Sequence, residues 1–336
     1  MAEGRILFVG TNEVDYLMDV VLSGLVARLG HHRVYDWPFS GRVYLRRKGY
    51  PRTMLRRSKL SLLRRFQAKR DFAEFDLVVV AACKPSCVHA YRQIQDKIPV
   101  GVPVVFIDGG DRTELGGDLD RLGEPTLFAD TEAKRPFDLV FKREKWLDHD
   151  FGRDCVAFPN AFHPDFMPPR KPKKYDVAFW GVESHETRVR AFELLRDKYD
   201  CATNGTIRGV TFHQHKRKGG FFLEELGRCK IALSLPGIGW DCQRYWEAPG
   251  VGAFMITPKA PLEIPDDFVS GQHVVHCKDD VSDLIELCDY YLEHEDEREA
   301  IAAAGQKHCL QYHSHLARAD RLLASVGERC GVTIAP

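Results

Sequence analysis

The sequence predicts an α/β protein made of two successive domains, each a parallel sheet flanked by helices. Three observations carry this. Apolar runs of about four to eight residues, the pattern of strands buried on both faces, recur along the chain. Helix-period stretches lie between them. A segment without periodicity, FHPDFMPPRKPKK at 162–174, interrupts the series as a linker, and the strand–helix alternation then begins afresh. A length of 336 residues suits two domains of ordinary size.

Taken in order, RILFVG (5–10) is a strand ending in glycine, and residues 14–29 have a helical pattern closed by Gly30. Asp15 or Asn12 is placed to cap that helix. HRVYDW returns as a strand, followed by the apolar strands FDLVVVAA (75–82) and VPVVFID (102–108), with the helix-like VHAYRQIQDKI between the last two. FDLVFKRE (137–144) and CVAFPNA (155–161) complete the first half. In the second half YDVAFWG (175–181) is a strand, TRVRAFELLRDKY a helix, and KIALSLPG (230–237), AFMITPK (253–259) and HVVHC (273–277) further strands. One long helical region, about 280–327, closes the chain. This gives two Rossmann-like domains, 1–165 and 175–336, the last helix being free to cross back to the first.

The 48 basic and 48 acidic residues balance, which argues against a wholesale nucleic-acid binder. The balance is not local: residues 42–70 hold twelve Lys or Arg and no Asp or Glu, with Tyr44, Tyr50 and Phe66 interleaved. Arg46, Arg47, Arg56 and Arg57 in this insert would attract a polyanion such as nucleic acid, an acidic glycan or a lipid phosphate. The plainer reading is a helical excursion whose arginines pair with acids elsewhere. Ten cysteines are scattered, mostly within apolar stretches, and read as reduced core residues. The first ten residues lack the pattern of a signal peptide, and no apolar run nears the ~20 residues of a membrane span. A cytoplasmic protein without a transmembrane segment is expected.

In parallel sheets ligands bind beyond the carboxyl ends of the strands, where helix N-termini present free N–H groups. The most informative stretch is PGIGWDCQRYWEAPGVGAFMIT, 236–257. A glycine-containing loop leads into a short helix starting near Gln243, and Arg244 and Glu247 share a face of its first turn. The arginine and the helix end suit a diphosphate, and the carboxyl suits ribose hydroxyls. The alternative is an ordinary surface ion pair.

The stretch from RYWEAPGVGAFMIT through DDVSDLIELCDYYL to HLARADRLL resembles the C-terminal domain of GT-B glycosyltransferases, in particular the CgeB-like group. YDVAFWGVESHETRVRAFELL resembles the opening strand and helix of that domain. The resemblance covers about residues 137–327. It implies that Glu247 holds the donor ribose, that Arg244 lies near the diphosphate, and that Gly181 lets its loop approach phosphate. Asn204 and Gly205 would shape the donor pocket. Many retaining members carry a second glutamate eight residues before the first; here that position is Gly239, and Asp241 is the substitute in reach. Retention or inversion stays open.

On the acceptor side, Asp108 and Asp111 follow the strand VFID and are candidate bases, unless they serve only to cap the turn. The GTNEVDY loop lacks G-x-G-x-x-G, so bound NAD is not expected. His213 and His215 lie in a basic loop without further ligands in view, and no DxD follows a strand. No cofactor and no metal are expected, the nucleotide-sugar being a substrate. The expected activity is glycosyl transfer from a nucleotide diphosphate-sugar, UDP-linked, to an unidentified acceptor. The alternatives are an acceptor base in DNA, motivated by 42–70, and a non-catalytic relic that binds nucleotide or polyanion, motivated by Gly239.

Overall fold

The structure, a computed structural model, describes residues 4–38, 71–199 and 219–335. They form two compact units, one of residues 4–38, 71–159 and 315–335, the other of 160–199 and 219–314.

The first unit opens with β1 (Ile6–Val9), α1 (Tyr16–Leu29) and β2 (Val34–Trp37). Asp15 is the cap of α1: its Oδ1 accepts from the Met18 N–H at 2.9 Å. At the other end the chain leaves through Gly30 at φ 78°, a left-handed position that favours glycine. Then come β3 (Leu77–Val80), α2 (Pro85–Arg92) and β4 (Val104–Asp108). Proline at the first position starts α2 three residues earlier than the periodicity suggested. Two short helices, α3 (Gly117–Arg121) and α4 (Leu127–Lys134), precede β5 (Leu139–Lys142) and β6 (Cys155–Ala157). All six strands are parallel, in the order β2-β1-β3-β4-β5-β6. The order reverses between β1 and β3, the place where such sheets open a crevice at their carboxyl ends. Except in the edge strand β2, their side chains are buried on both faces, which is why those runs read as apolar.

The second unit contains β7 (Tyr175–Ala178), α5 (Glu186–Leu195), α6 (Gly219–Gly227), β8 (Cys229–Leu233), α7 (Gln243–Gly250), β9 (Phe254–Pro258) and β10 (Val275–Cys277). Its four strands are parallel in the order β10-β9-β8-β7, over a separate core. The 162–174 segment is tied along this unit: Arg170 donates to Gln306 at 2.9 Å, Lys171 pairs with Glu224 at 2.7 Å, and Lys173 donates to the Cys229 carbonyl at 2.9 Å.

The long terminal region is three helices, not one: α8 (Leu284–Glu293), α9 (Glu295–Tyr312) and α10 (His315–Cys330). Neither break uses proline or glycine. His294, at φ −102° and ψ 68°, turns the first, its ring stacked on Tyr290 at 3.9 Å; His313 ends the second. The last helix, α10, belongs to the first unit. Gly24 of α1 meets it so closely that a Cβ there would lie 2.0 Å from the His315 carbonyl oxygen. Arg28 clamps Asp320 with two bonds of 2.8 and 2.6 Å, and Ala319, Leu322 and Val326 enter the core.

Among the described residues no cysteine is in a disulfide, no helix is long and apolar enough to cross a membrane, and no three potential metal-ligating side chains gather.

Candidate functional site

The second unit gathers its polar groups where α7 begins. Cys242 is the N-cap residue and makes no side-chain capping bond; its carbonyl accepts from the Tyr245 N–H at 2.9 Å, and the Gln243 and Arg244 N–H groups have no partner among the described residues, leaving them open to an anion. Arg244 and Glu247 lie in this turn, and the ion pair their spacing permits does not form. Arg244 instead donates through Nη2 to the Trp180 carbonyl and lies over the Phe179 ring, 5.0 Å from its centroid. Its Nε is buried with no partner. Glu247 is 4% exposed, and its carboxyl makes no hydrogen bond or ion pair among the described residues. Burial pushes its carboxyl up to about 8, and pushes the Arg244 guanidinium down to about 10, the neighbouring Arg188 adding to the latter. A cation and a carboxyl have therefore been desolvated side by side without neutralising one another.

Arg188, in the first turn of α5, escaped the sequence reading because it looks like an ordinary helix-surface residue. It is buried, and burial lowers its pKa. Its Nη1 donates to the Val182 carbonyl and to Ser184 Oγ, both at 3.1 Å, and its Nη2 to the Leu235 carbonyl at 2.9 Å. It thus cross-links the loops that follow β7 and β8. Its guanidinium also lies 5.5 Å from the Phe179 centroid, so one ring carries two guanidiniums. The only hint in the sequence was its position just after a strand and a glycine.

Gly181 has a packing reason to be glycine. A Cβ there would lie 2.9 Å from the tip of the Phe179 ring, so its first service is to admit the ring on which Arg188 and Arg244 rest. Gly237, after β8, lies against Arg188 itself, 3.1 Å from a would-be Cβ to Nη2.

Asp241, the expected substitute for the second glutamate, is held within its own loop. It is buried, its Oδ2 accepts from the Asn160 N–H and its Oδ1 from the Trp246 indole N–H, each at 2.6 Å, while Asn160 Nδ2 returns a bond to its carbonyl at 3.0 Å. Both oxygens are committed to holding the loop before α7. Asn204 and Gly205, and likewise His213 and His215, lie outside the described residues.

In the first unit, Asp108, a candidate base, sits as the buried counter-ion of Lys142. It is fully buried; Oδ1 accepts from Gly110 N at 3.1 Å, and Oδ2 accepts from Gly116 N at 2.9 Å and from Lys142 Nζ at 3.0 Å. Lys142, equally buried, also donates to the carbonyls of Arg112 and Glu114 at 2.6 and 3.2 Å, pinning the loop after β4. Asp111, on that loop, is partly exposed and paired with Arg143. At the β1–β3 reversal, Ser86 Oγ donates to Glu13 Oε1 at 2.5 Å and lies 2.6 Å from Thr11 Oγ1, a hydroxyl–carboxyl chain the sequence did not reveal. Arg46, Arg47, Arg56 and Arg57 lie outside the described residues.

Residues 172–324 match the family model described as glycosyl transferase-like. No curated protein matches the sequence. Among solved structures, an α-glucosyltransferase bound to UDP and a mismatched 13-mer DNA is similar over 97% of this chain and 99% of that one, with TM-score 0.58 and 9% identity. HepE of Anabaena, bound to UDP-glucose, is similar over 96% and 99%, with TM-score 0.53 and 11% identity. Sucrose-phosphate synthase of Thermosynechococcus elongatus is similar over 97% and 98%, with TM-score 0.58 and 8% identity. Residues 172–324 thus match a glycosyl transferase-like family model, and the chain has the two-sheet GT-B fold of the glycosyltransferases it resembles.

Proposed function

We propose that the donor is a UDP-sugar and that α7 is its principal binding element. The observation that carries this is the Arg244–Glu247 pair, two buried ionisable groups on one helical turn with no partner of opposite charge among the described residues. Such an arrangement costs folding free energy and is characteristic of binding sites. A diphosphate at the open N-terminus of α7 supplies the negative charge that Arg244 lacks. A ribose diol supplies hydrogen-bond partners for Glu247, which in its neutral form both donates and accepts. The guanidinium and the helix end then stabilise the charge that develops on the leaving UDP as the glycosidic bond breaks. Arg188 and Phe179 keep the loops and Arg244 in place. The UDP and UDP-glucose held by proteins of similar fold support the same nucleotide here. On the first unit, Asp111 is the carboxylate of choice to take the proton of the acceptor hydroxyl, being accessible at a strand end where Asp108 is not.

A polyanionic acceptor, DNA in particular, is the second reading. It is supported by the twelve basic residues of 42–70 and by the DNA bound to one protein of similar fold. Neutralising Arg46, Arg47, Arg56 and Arg57 should abolish salt-sensitive DNA binding; absence of any binding at low salt would dismiss this acceptor.

The donor assignment is tested by titrating UDP into the wild type and Glu247→Ala and by following UDP release from a panel of UDP-sugars. Binding weakened at least tenfold in the variant, with release of UDP by the wild type, is expected. Equal affinity in both proteins removes the ribose role, and no release from any UDP-sugar favours a binding relic.

A further inference from the structure

The segment after β9 forms a built feature that the donor reading does not use. Within it, Asp267 Oδ1 accepts from the Tyr245 hydroxyl of α7 at 2.7 Å, and the Phe268 ring packs on Tyr245 and Trp246 with centroids 5.4 and 5.9 Å apart. These are the neighbours of Arg244 and Glu247 on the same helix. Just before them Asp266 has φ 54°, the left-handed region that a non-glycine residue enters at a cost of about 1 kcal/mol.

Three histidines hold this turn. The Asp266 carbonyl accepts from His308 Nε2 at 2.6 Å and from His313 Nε2 at 2.7 Å, so both nitrogens carry hydrogens. His273 has the reverse role: its Nδ1 accepts the Val269 N–H at 3.2 Å and must be unprotonated to do so. The rings of His273 and His308 are stacked, 4.1 Å apart and 23° from parallel. Helix α9 lies flush on the same point, since a Cβ on Gly305 would come within 2.2 Å of the His273 carbonyl oxygen.

We propose that His273, His308 and His313 are positioning residues of the donor site, forming a latch that holds the 262–274 turn against α7 while His273 is neutral and releases it on acidification. A proton on His273 Nδ1 removes the acceptor of the Val269 N–H and sets a cation against the face of His308. Burial and His308 together keep His273 below the usual imidazole range. A depressed imidazole contributes stability that is present above its unfolded pKa and lost as pH falls towards the folded one. The other titratable groups around the cluster are Asp267 and Lys259 on the segment after β9, Tyr245 on α7 and Tyr312 on α9. Asp267, itself raised by burial, acts in the opposite sense, its protonation favouring the folded turn as pH falls, and it is common to both proteins compared below.

The effect on donor affinity rests on the UDP reading above; the latch itself does not. The test uses the full chain, with amide exchange at Val269 and UDP binding followed from pH 7.5 to 5.5 in the wild type and in His273→Asn, whose side-chain oxygen accepts the same N–H without titrating. The wild type should lose Val269 protection at least tenfold on acidification, with UDP affinity falling further than in the variant, where Val269 protection stays flat. Titration of Glu247 and of UDP itself is common to both proteins and cancels in the comparison. Should His273→Asn not fold, imidazole resonances of the wild type decide, because His273 must titrate together with Val269 exposure. Protection unchanged with pH in the wild type, or an undiminished pH response in the variant, overturns the latch. Failure of the wild type to bind UDP at pH 7.5, with the Val269 response intact, overturns the donor reading alone.

Discussion

Replacing Glu247 by glutamine keeps the shape of the side chain and removes its titration, which makes its energetic effect calculable. In the native protein the carboxyl is pushed up to about 8, against an ordinary value of 4.5, with burial as the cause. A raised carboxyl contributes stability that is present below its unfolded pKa and lost as pH rises through the folded one. At pH 7 the unfolded chain has released the proton and the native chain has not. That gap is about 2.5 pH units at about 1.4 kcal/mol each, or about 3.5 kcal/mol against the wild type. Glu247→Gln should therefore be the more stable protein without ligand, by under about 1 kcal/mol at pH 5, about 3.5 at pH 7 and about 5 at pH 9. Urea unfolding at these three pH values measures it. Parallel pH dependences in the two proteins would refute the reasoning, because a carboxyl that titrates normally is solvated or paired, and neither suits one awaiting a ligand.

Lys142→Met should cost about 3–5 kcal/mol in urea unfolding, since Asp108 would be left fully buried without its counter-ion; Asp108→Asn in the same chain should recover part of the loss. Asp241→Ala should destabilise by about 1–3 kcal/mol per bond partner left unsatisfied, Asn160 N and the Trp246 indole, and the same unfolding curves would show no change if those bonds were dispensable.

The parts of the fold legible in the sequence were those set by local pattern. Each strand of β1, β3 and β4 is buried on both faces, so burial wrote itself into consecutive residues as an apolar run. Arg244 and Glu247 could be singled out because a helical turn brings residues three apart onto one face. What spacing could not tell was whether they bond to one another, since that depends on Phe179 and Trp180, more than sixty residues away, competing for the guanidinium. The burial of Asp108 was hidden for a related reason. Its partner Lys142 stands opposite it in the register of β4 and β5, and no local signal marks a lysine at the end of an apolar strand as a buried counter-ion. Arg188 acts between two loops that become neighbours only because β7 and β8 pair. The division of the terminal helical region turned on two histidines, residues without a strong helix-breaking signature, held by stacking and by the Asp266 carbonyl.

The most direct test of the account is calorimetric titration of UDP and of uridine into the wild type and Arg244→Gln. If the guanidinium faces a diphosphate, the variant binds UDP at least tenfold more weakly than the wild type does, a loss of about 1.4 kcal/mol or more, and binds uridine equally well. UDP bound with the same affinity by both proteins, or uridine weakened as much as UDP, would contradict the placement of the diphosphate at the start of α7.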